Sequence, residues 1–314
     1  MKFISIVTPC YNESGNVSEL VARVQKVMEN DLPGYTYEHI FIDNASTDNT
    51  LSELRRLCAE NDRIKVIVNS RNFGHMRSPV YGMLQAKGDV ILSIVSDLQD
   101  PPEMIPDFIC EWEKGYDIVL AIKKDSAENG LMFKVRELYY MVLSKLSEVE
   151  IFKNYTGFGL YDRRVIEALR TMKDPYPFFR GMIAEVGFKV KELKYNQPVR
   201  VKGITKNNFY TLYDIGMLGI INNSKVPLRM AIFLGALLGA LSFLTAIAYL
   251  VAKLFYWNEM ALGLAPLVIG SFFMFSILLF FMGIIGEYIG AIYTQVMSRP
   301  LVFERERINF DEDK

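Results

Sequence analysis

The chain has 314 residues, 51% of them hydrophobic and 23% charged, and 35 Lys and Arg against 36 Asp and Glu leave a formal net charge of −1. This composition excludes a disordered chain, and the neutral balance argues against a general nucleic-acid binder, which is normally clearly basic. A mean hydropathy of +0.15 beside an ordinary charged fraction means that the apolar excess is concentrated in one part of the chain.

In chain order, residues 3–7 form a β-branched strand, too short an apolar run for a signal peptide, so the N-terminal part is expected to stay in the cytosol. The polar turn Thr8-Pro-Cys-Tyr-Asn-Glu13 and a helical pattern over 17–28 follow. A second strand, 37–42, ends in Asp43 and the turn 44–48, ahead of a helix over 50–58. Strands are also predicted at 64–68, at 89–95 before Ser96-Asp97, and at 117–122, with a helix around 79–86 and another helical pattern from Arg136 to Leu146. Alternating strands and helices imply an α/β domain with a largely parallel sheet, helices on both faces, and a ligand crevice outside the carboxyl ends of the strands. The segment 123–130 reads equally as a mobile loop that orders on ligand binding or as a plain surface loop. Cys10, Cys58 and Cys110 are scattered and odd in number, which favours reduced thiols over a disulfide framework or a zinc site.

No charged residue occurs from 230 to 252 or from 260 to 286. Each run exceeds the roughly 20 residues a helix needs to cross a hydrocarbon core, so two membrane helices are expected. Lys225 and Arg229 before the first, and Arg299, Arg305 and Arg307 after the second, place both flanks in the cytosol by the positive-inside bias. Tyr256 and Trp257 suit an interfacial outer turn, and Glu287 the headgroup end of the second span. Ahead of the spans, Phe209, Leu212, Tyr213, Met217 and Ile220 recur at helical spacing, as in an amphipathic helix lying in the membrane interface or packed on the soluble domain. The expected organisation is a soluble domain over 1–207, an interfacial helix over 208–227, a two-helix hairpin over 228–292 and a cytosolic tail over 293–314.

The strand ends carry carboxylates and no glycine-rich phosphate cradle. Carboxylates repel a phosphate unless a divalent cation lies between them, and Mg²⁺ commonly uses one or two carboxylates together with substrate phosphate oxygens. A metal-bound nucleotide diphosphate is therefore the expected ligand, although Asp48 reads equally as a helix cap. A phosphate-bearing acceptor would need cations, for which Arg136, Arg180, Arg200, Lys202 and Lys206 are candidates beside their plain reading as surface charges.

Thr8-Pro-Cys-Tyr-Asn-Glu13, Asp43-Asn-Ala-Ser-Thr-Asp48, Arg71-Asn-Phe-Gly74 and above all Asp97-Leu-Gln-Asp-Pro-Pro-Glu103, with Gly157-Phe-Gly-Leu-Tyr-Asp-Arg-Arg164 and Phe178-Phe-Arg-Gly181, resemble a family 2 glycosyltransferase of the polyprenyl-phosphate group. The resemblance implies a GT-A fold and inverting transfer of a sugar from a nucleotide donor to a polyprenyl phosphate. The donor expected is UDP-glucose, with a GDP-sugar as the alternative. The enzyme would sit in the bacterial plasma membrane, with its catalytic domain and both termini cytosolic, and its hairpins could pack into a homo-oligomer. Carried over by resemblance, Pro9, Tyr11, Glu13, Asp43 and Asp97 bind the nucleotide, and Asp97 and Gln99 hold Mg²⁺ or Mn²⁺. Arg136, Arg180 and Arg200 then join Asp97 in catalysis, and Arg136, Arg200, Lys202 and Lys206 meet the acceptor phosphate. Two positions depart from the family pattern: Val95 stands where the first carboxylate of Asp-x-Asp is usual, and Asn44 where a second Asp is usual. A processive polysaccharide synthase is disfavoured because neither Trp112 nor Trp257 follows Arg; an inactive scaffold of the same fold is the reading that Val95 feeds.

Overall fold

The computed structural model describes residues 2–124, 152, 154–198, 217, 219, 221, 224–256 and 264–310. The helical pattern from Arg136, the residues Arg200, Lys202 and Lys206, most of the loop at 123–130 and nearly all of the interfacial helix at 208–227 lie outside these.

Strands β1 (Lys2–Cys10), β2 (Tyr35–Asp43), β3 (Ile64–Asn69), β4 (Val90–Ser93), β5 (Ile118–Lys123), β6 (Tyr155–Asp162), β7 (Val190–Tyr195) and β8 (Glu304–Ile308) form one sheet in the order β7-β5-β6-β4-β1-β2-β3-β8. The neighbours β4, β1, β2 and β3 pair in parallel, as do β5 and β7, whereas β6 and β8 run against their neighbours. The central strands are apolar on both sides because both faces are covered. On β1 and β2, Ile4, Ile6, Tyr37 and Phe41 point into one core beneath α1 (Val17–Asn30), α2 (Thr50–Glu60) and α4 (Ile105–Glu113), while Val7, Ile40 and Ile42 point into the other. The second core lies beneath α3 (Gly74–Gln85), α5 (Arg163–Met172) and α6 (Phe179–Glu185). Helix α1 contributes Val17, Leu20, Val21, Val24, Val27 and Met28 from a single buried stripe.

Helices α7 (Val226–Phe255) and α8 (Leu264–Met297) form the hairpin. Their apolar side chains face outward, Phe233 and Val296 each 76% exposed, a surface that water does not sustain over such an area. Val226–Tyr249 and Gly270–Met297 are long and apolar enough to cross a membrane. At the base, the Tyr288 hydroxyl donates to the Ser224 carbonyl at 2.6 Å. Helix α8 runs past the expected end at 292, and Glu287 lies within it rather than at its end.

After the hairpin the chain returns to the sheet, where a tail was expected. Strand β8 pairs antiparallel with β3, and Val302 just before it is 4% exposed. Its sequence, Glu-Arg-Glu-Arg-Ile, hides it because charges occupy the positions where an interior strand would alternate with apolar residues. The charges are answered across the edge: Arg55 holds Glu306 at 2.9 Å, and the Tyr81 hydroxyl donates to Glu304 at 2.6 Å.

His39 on β2 is buried beside Thr8, its Nε2 2.9 Å from the hydroxyl, and burial drives its pKa down to about 3. The unfolded chain, with an ordinary value of about 6.5, then binds more protons than the folded one across that window. The His39 share of stability is expected to be full above pH 6.5 and to fall as the pH drops, by at most about 1.4 kcal/mol per unit. The buried Asp100 carboxyl, pushed up to about 7, tilts stability the other way over the same range, so the test is the difference between two proteins. Chemical denaturation between pH 4.5 and 7.5 should show His39→Gln more stable relative to wild type as the pH falls; an equal slope in both would remove His39 from this role.

Candidate active site

Three turns leave the carboxyl ends of β1, β2 and β4, and each holds one residue in the left-handed region: Asn12 at φ 59°, Ala45 at 59° and Leu98 at 61°. Ala and Leu carry a Cβ penalty there, so the surroundings must hold them. Leu98 is anchored by burial, at 6% exposure. The first two turns are laced together. Asn12 N–H donates to Ser46 Oγ at 3.0 Å, Thr47 N–H to Asn12 Oδ1 at 2.8 Å, and Glu13 N–H to Thr50 Oγ1 at 2.8 Å.

Asp48 is part of this lacing. It accepts from Thr50 N–H at 2.9 Å and from Ser14 N–H at 3.3 Å. Burial pushes its carboxyl up, but the hydrogen bonds from Thr50 and Ser14 outweigh that and hold it below the usual range. Asp43 is fully buried and accepts from Ser46 N–H at 3.2 Å. Burial raises its carboxyl, opposed by Ser46 and by the positive charge of Arg305 on β8.

Asn44 explains its own departure from the family pattern. Its Nδ2 donates to Asn72 Oδ1 at 2.9 Å and to the Gly74 carbonyl at 3.2 Å, while its Oδ1 accepts from Asn69 Nδ2 at 3.0 Å and Phe73 N–H at 2.9 Å. A carboxylate cannot donate, so Asn44→Asp would set a charge against two acceptor oxygens. That substitution is expected to cost about 2–3 kcal/mol, read as a lowered melting temperature; an unchanged melting temperature would refute this account.

In the third turn, Gln99 N–H donates to Asp97 Oδ1 at 3.1 Å, and the Gln99 side-chain amide donates to the Pro198 carbonyl at 3.3 Å. Asp100, which sequence reasoning left out of the site, is 1% exposed. It accepts from Val95 N–H at 3.2 Å and from the Tyr195 hydroxyl at 3.1 Å. Burial pushes its carboxyl up to about 7, with the Asp97 charge reinforcing the rise. Asp100 thus braces the turn that presents Asp97.

These turns open on a cavity of about 580 Å³, lined by Pro9, Tyr11, Glu13, Asn44 and Asp97, and from the opposite side by Tyr155 and Arg180. Of the predicted residues, Pro9, Tyr11, Glu13, Asp97 and Arg180 meet there. Asp43 stands behind Asn44, and Gln99 turns to Pro198; neither lines the cavity. His75, Asn72 and Thr156 also line it and were not foreseen, although Arg71-Asn-Phe-Gly74 had marked the β3–α3 loop. The two aromatic hydroxyls of Tyr155 and Tyr161 meet in the buried wall, and Tyr161 packs edge-on against Phe179 with centroids 5.4 Å apart. Val95 lines the cavity as an apolar side chain.

Among the described residues no three Asp, Glu, His or Cys side chains gather to hold a metal ion. Two carboxylates, Glu13 and Asp97, line the cavity, and Asp97 fits a cation that takes its remaining ligands from a diphosphate and water, the mode common for Mg²⁺, while the Gln99 amide is turned to the Pro198 carbonyl. This set does not fit an all-protein cage.

Residues 5–170 match the family model for glycosyl transferase family 2. The uncharacterized glycosyltransferase YkcC of Bacillus subtilis is 35% identical over 95% of this chain and 91% of its own length. The SfII prophage-derived bactoprenol glucosyl transferase of Shigella flexneri is 32% identical over 95% of this chain and 96% of its own. A prophage bactoprenol glucosyl transferase homolog of Escherichia coli K12 is 31% identical over 95% and 96%.

Proposed function

Because the chain belongs to glycosyl transferase family 2 and is a glycosyltransferase, we propose that it moves a sugar from a nucleotide donor, UDP-glucose foremost and a GDP-sugar as the alternative, to a polyprenyl phosphate at the cytosolic face of the bacterial plasma membrane. The observation that carries this reading is the cavity itself, which joins Tyr11, Glu13, Asp97 and Arg180 in a chain that also carries an outward-facing apolar hairpin. The bactoprenol glucosyl transferases at about one-third identity support the acceptor class. Lys225, Arg229, Arg299, Arg305 and Arg307 at the two ends of the hairpin support the cytosolic orientation.

In this reading an oxygen of the lipid phosphate attacks the anomeric carbon while the bond from that carbon to the diphosphate oxygen breaks. The nucleoside diphosphate leaves with the electron pair, and a single displacement inverts the anomeric centre. A phosphate is already deprotonated at neutral pH, so the site needs little general base. Tyr11 offers a ring for stacking, and Glu13 accepts hydroxyl or N–H protons of the nucleoside. Arg180 meets phosphate charge across the cavity. Asp97 would hold Mg²⁺ or Mn²⁺, joined by Gln99 once its amide turns from the Pro198 carbonyl, and the ion would supply neutralisation of the diphosphate charge. Arg136, Arg200, Lys202 and Lys206 are proposed for the acceptor phosphate.

A panel of labelled nucleotide sugars with undecaprenyl phosphate, read as labelled glycolipid, tests the proposal. Label from UDP-glucose that a chelator suppresses is the expected result. Absence of labelled lipid with every donor would refute the acceptor.

A further inference from the structure

The pairing of β3 with β8 is irregular at one place. Val68 faces Glu306 and Asn69 faces Glu304, which leaves Arg305 as the extra residue of a β-bulge. Bulges of this kind re-aim a side chain, and they recur beside active sites. Arg305 lies in the row of residues that ends the central strands, because Cys10 pairs with Asp43 and Asp43 with Val68. Two strand spacings of about 4.8 Å separate β2 from β8, a gap that an extended arginine covers, and Arg305 acts electrostatically on Asp43.

The neighbours of Arg305 on β8 are occupied. Glu304 takes the Tyr81 hydroxyl and the guanidinium of Arg307, and Glu306 takes Arg55. Arg305 itself is exposed and makes no hydrogen bond or ion pair among the described residues. A permanent cation with five donors therefore stands at the β3–β8 end of the row of strand ends, outside the cavity lining itself and on the side where Asn44 and Asn72 line it. Its ligand there follows from distance. Asp97 follows β4, four strand spacings from β8, or about 19 Å. A diphosphate held at Asp97 is out of reach, and the far end of a nucleotide lying along the strand ends is its base.

We propose that Arg305 is a specificity-determining residue of the donor site, donating from the β8 bulge to a carbonyl oxygen on the edge of the nucleobase. The inference rests on the nucleotide-sugar reading above. A guanidinium only donates, so it favours bases that present a keto oxygen, uracil and guanine, over those that present an amino group at the corresponding position, cytosine and adenine.

Calorimetric titration of the full chain in uncharged detergent with UDP, GDP, CDP and ADP tests this. Wild type should bind UDP or GDP more tightly than CDP and ADP, and Arg305→Gln should weaken the keto-base ligands by about tenfold while leaving the other two unchanged. Glu306→Gln, which breaks the pair with Arg55, should lower the melting temperature and preserve the base preference. If Arg305→Gln keeps the wild-type preference, with or without a lower melting temperature, the proposal is overturned while the donor reading stands. If wild type binds none of the four, the donor reading falls and takes this inference with it.

Discussion

Asp97→Ala is expected to reduce sugar transfer by about a hundred- to a thousandfold while the soluble domain stays folded. Asp97 is the carboxylate that the β4 turn delivers to the cavity, and no carboxylate at position 95 backs it up. Two strong charges must come together in the proposed reaction, and removing a group that manages charge in a closed site typically costs two to three orders of magnitude, about 3–4 kcal/mol. Asp97 also has a local role, since its Oδ1 accepts from Gln99 N–H at 3.1 Å. Asp97→Asn separates the two roles, because an amide oxygen still accepts that bond while the charge is gone. Both variants should lose transfer, and only Asp97→Ala should loosen the turn. Wild-type transfer by Asp97→Asn would remove the charge from the mechanism. Titration with Mn²⁺ and UDP, followed by spin resonance, gives a second readout: ion retention should fall in both variants.

Truncation after Arg299 is expected to lower the melting temperature of the soluble domain by roughly 10 °C and to promote aggregation. Several contacts vanish together. Val302 is buried and worth about 2 kcal/mol. The Asn309 amide donates to the carbonyls of Cys58 at 2.8 Å and Ile64 at 3.0 Å, which adds about 2 kcal/mol. The half-exposed Arg55–Glu306 pair adds less than about 1 kcal/mol. A sum near 4 kcal/mol corresponds to about 10 °C in a domain of this size. The bare edge of β3, with Val66, Ile67 and Val68 in sequence, would then be open to pairing with other chains. Melting within a degree or two of the intact protein, without aggregation, would show that β8 is dispensable.

Much of the central sheet was legible because interior parallel strands are unbroken apolar runs, and α1 and α2 because each buries one stripe. Strands β6 and β7 were not. Gly157 and Gly159 interrupt β6, and Gly159 is required because a Cβ there would come within 2.6 Å of the Val119 carbonyl on β5. Strand β7 carries three charged residues in six, Lys191, Glu192 and Lys194, along an edge. Helix α3 begins at Gly74 and carries Pro79 inside it, so the helix expected around 79–86 is only its second half. In the site, the turn residues Tyr11, Glu13 and Asp97 were readable from their place after strands. Side-chain direction was not, so Asp43 and Gln99 were expected on a wall they do not line. Arg180 was foreseen as a cation for phosphate, but Tyr155, at the start of β6, was not, because spacing along the chain says nothing of its distance from the turns.

The return of β8 to the sheet also orders events during synthesis. Its partner β3 is translated well before α7 and α8, and β8 only after them. A chain whose synthesis has not yet passed the hairpin therefore carries an unfinished domain, with the β3 edge open. Completion of the sheet follows synthesis of the hairpin, so chains stalled before β8 would be marked for proteolysis by their own exposed edge.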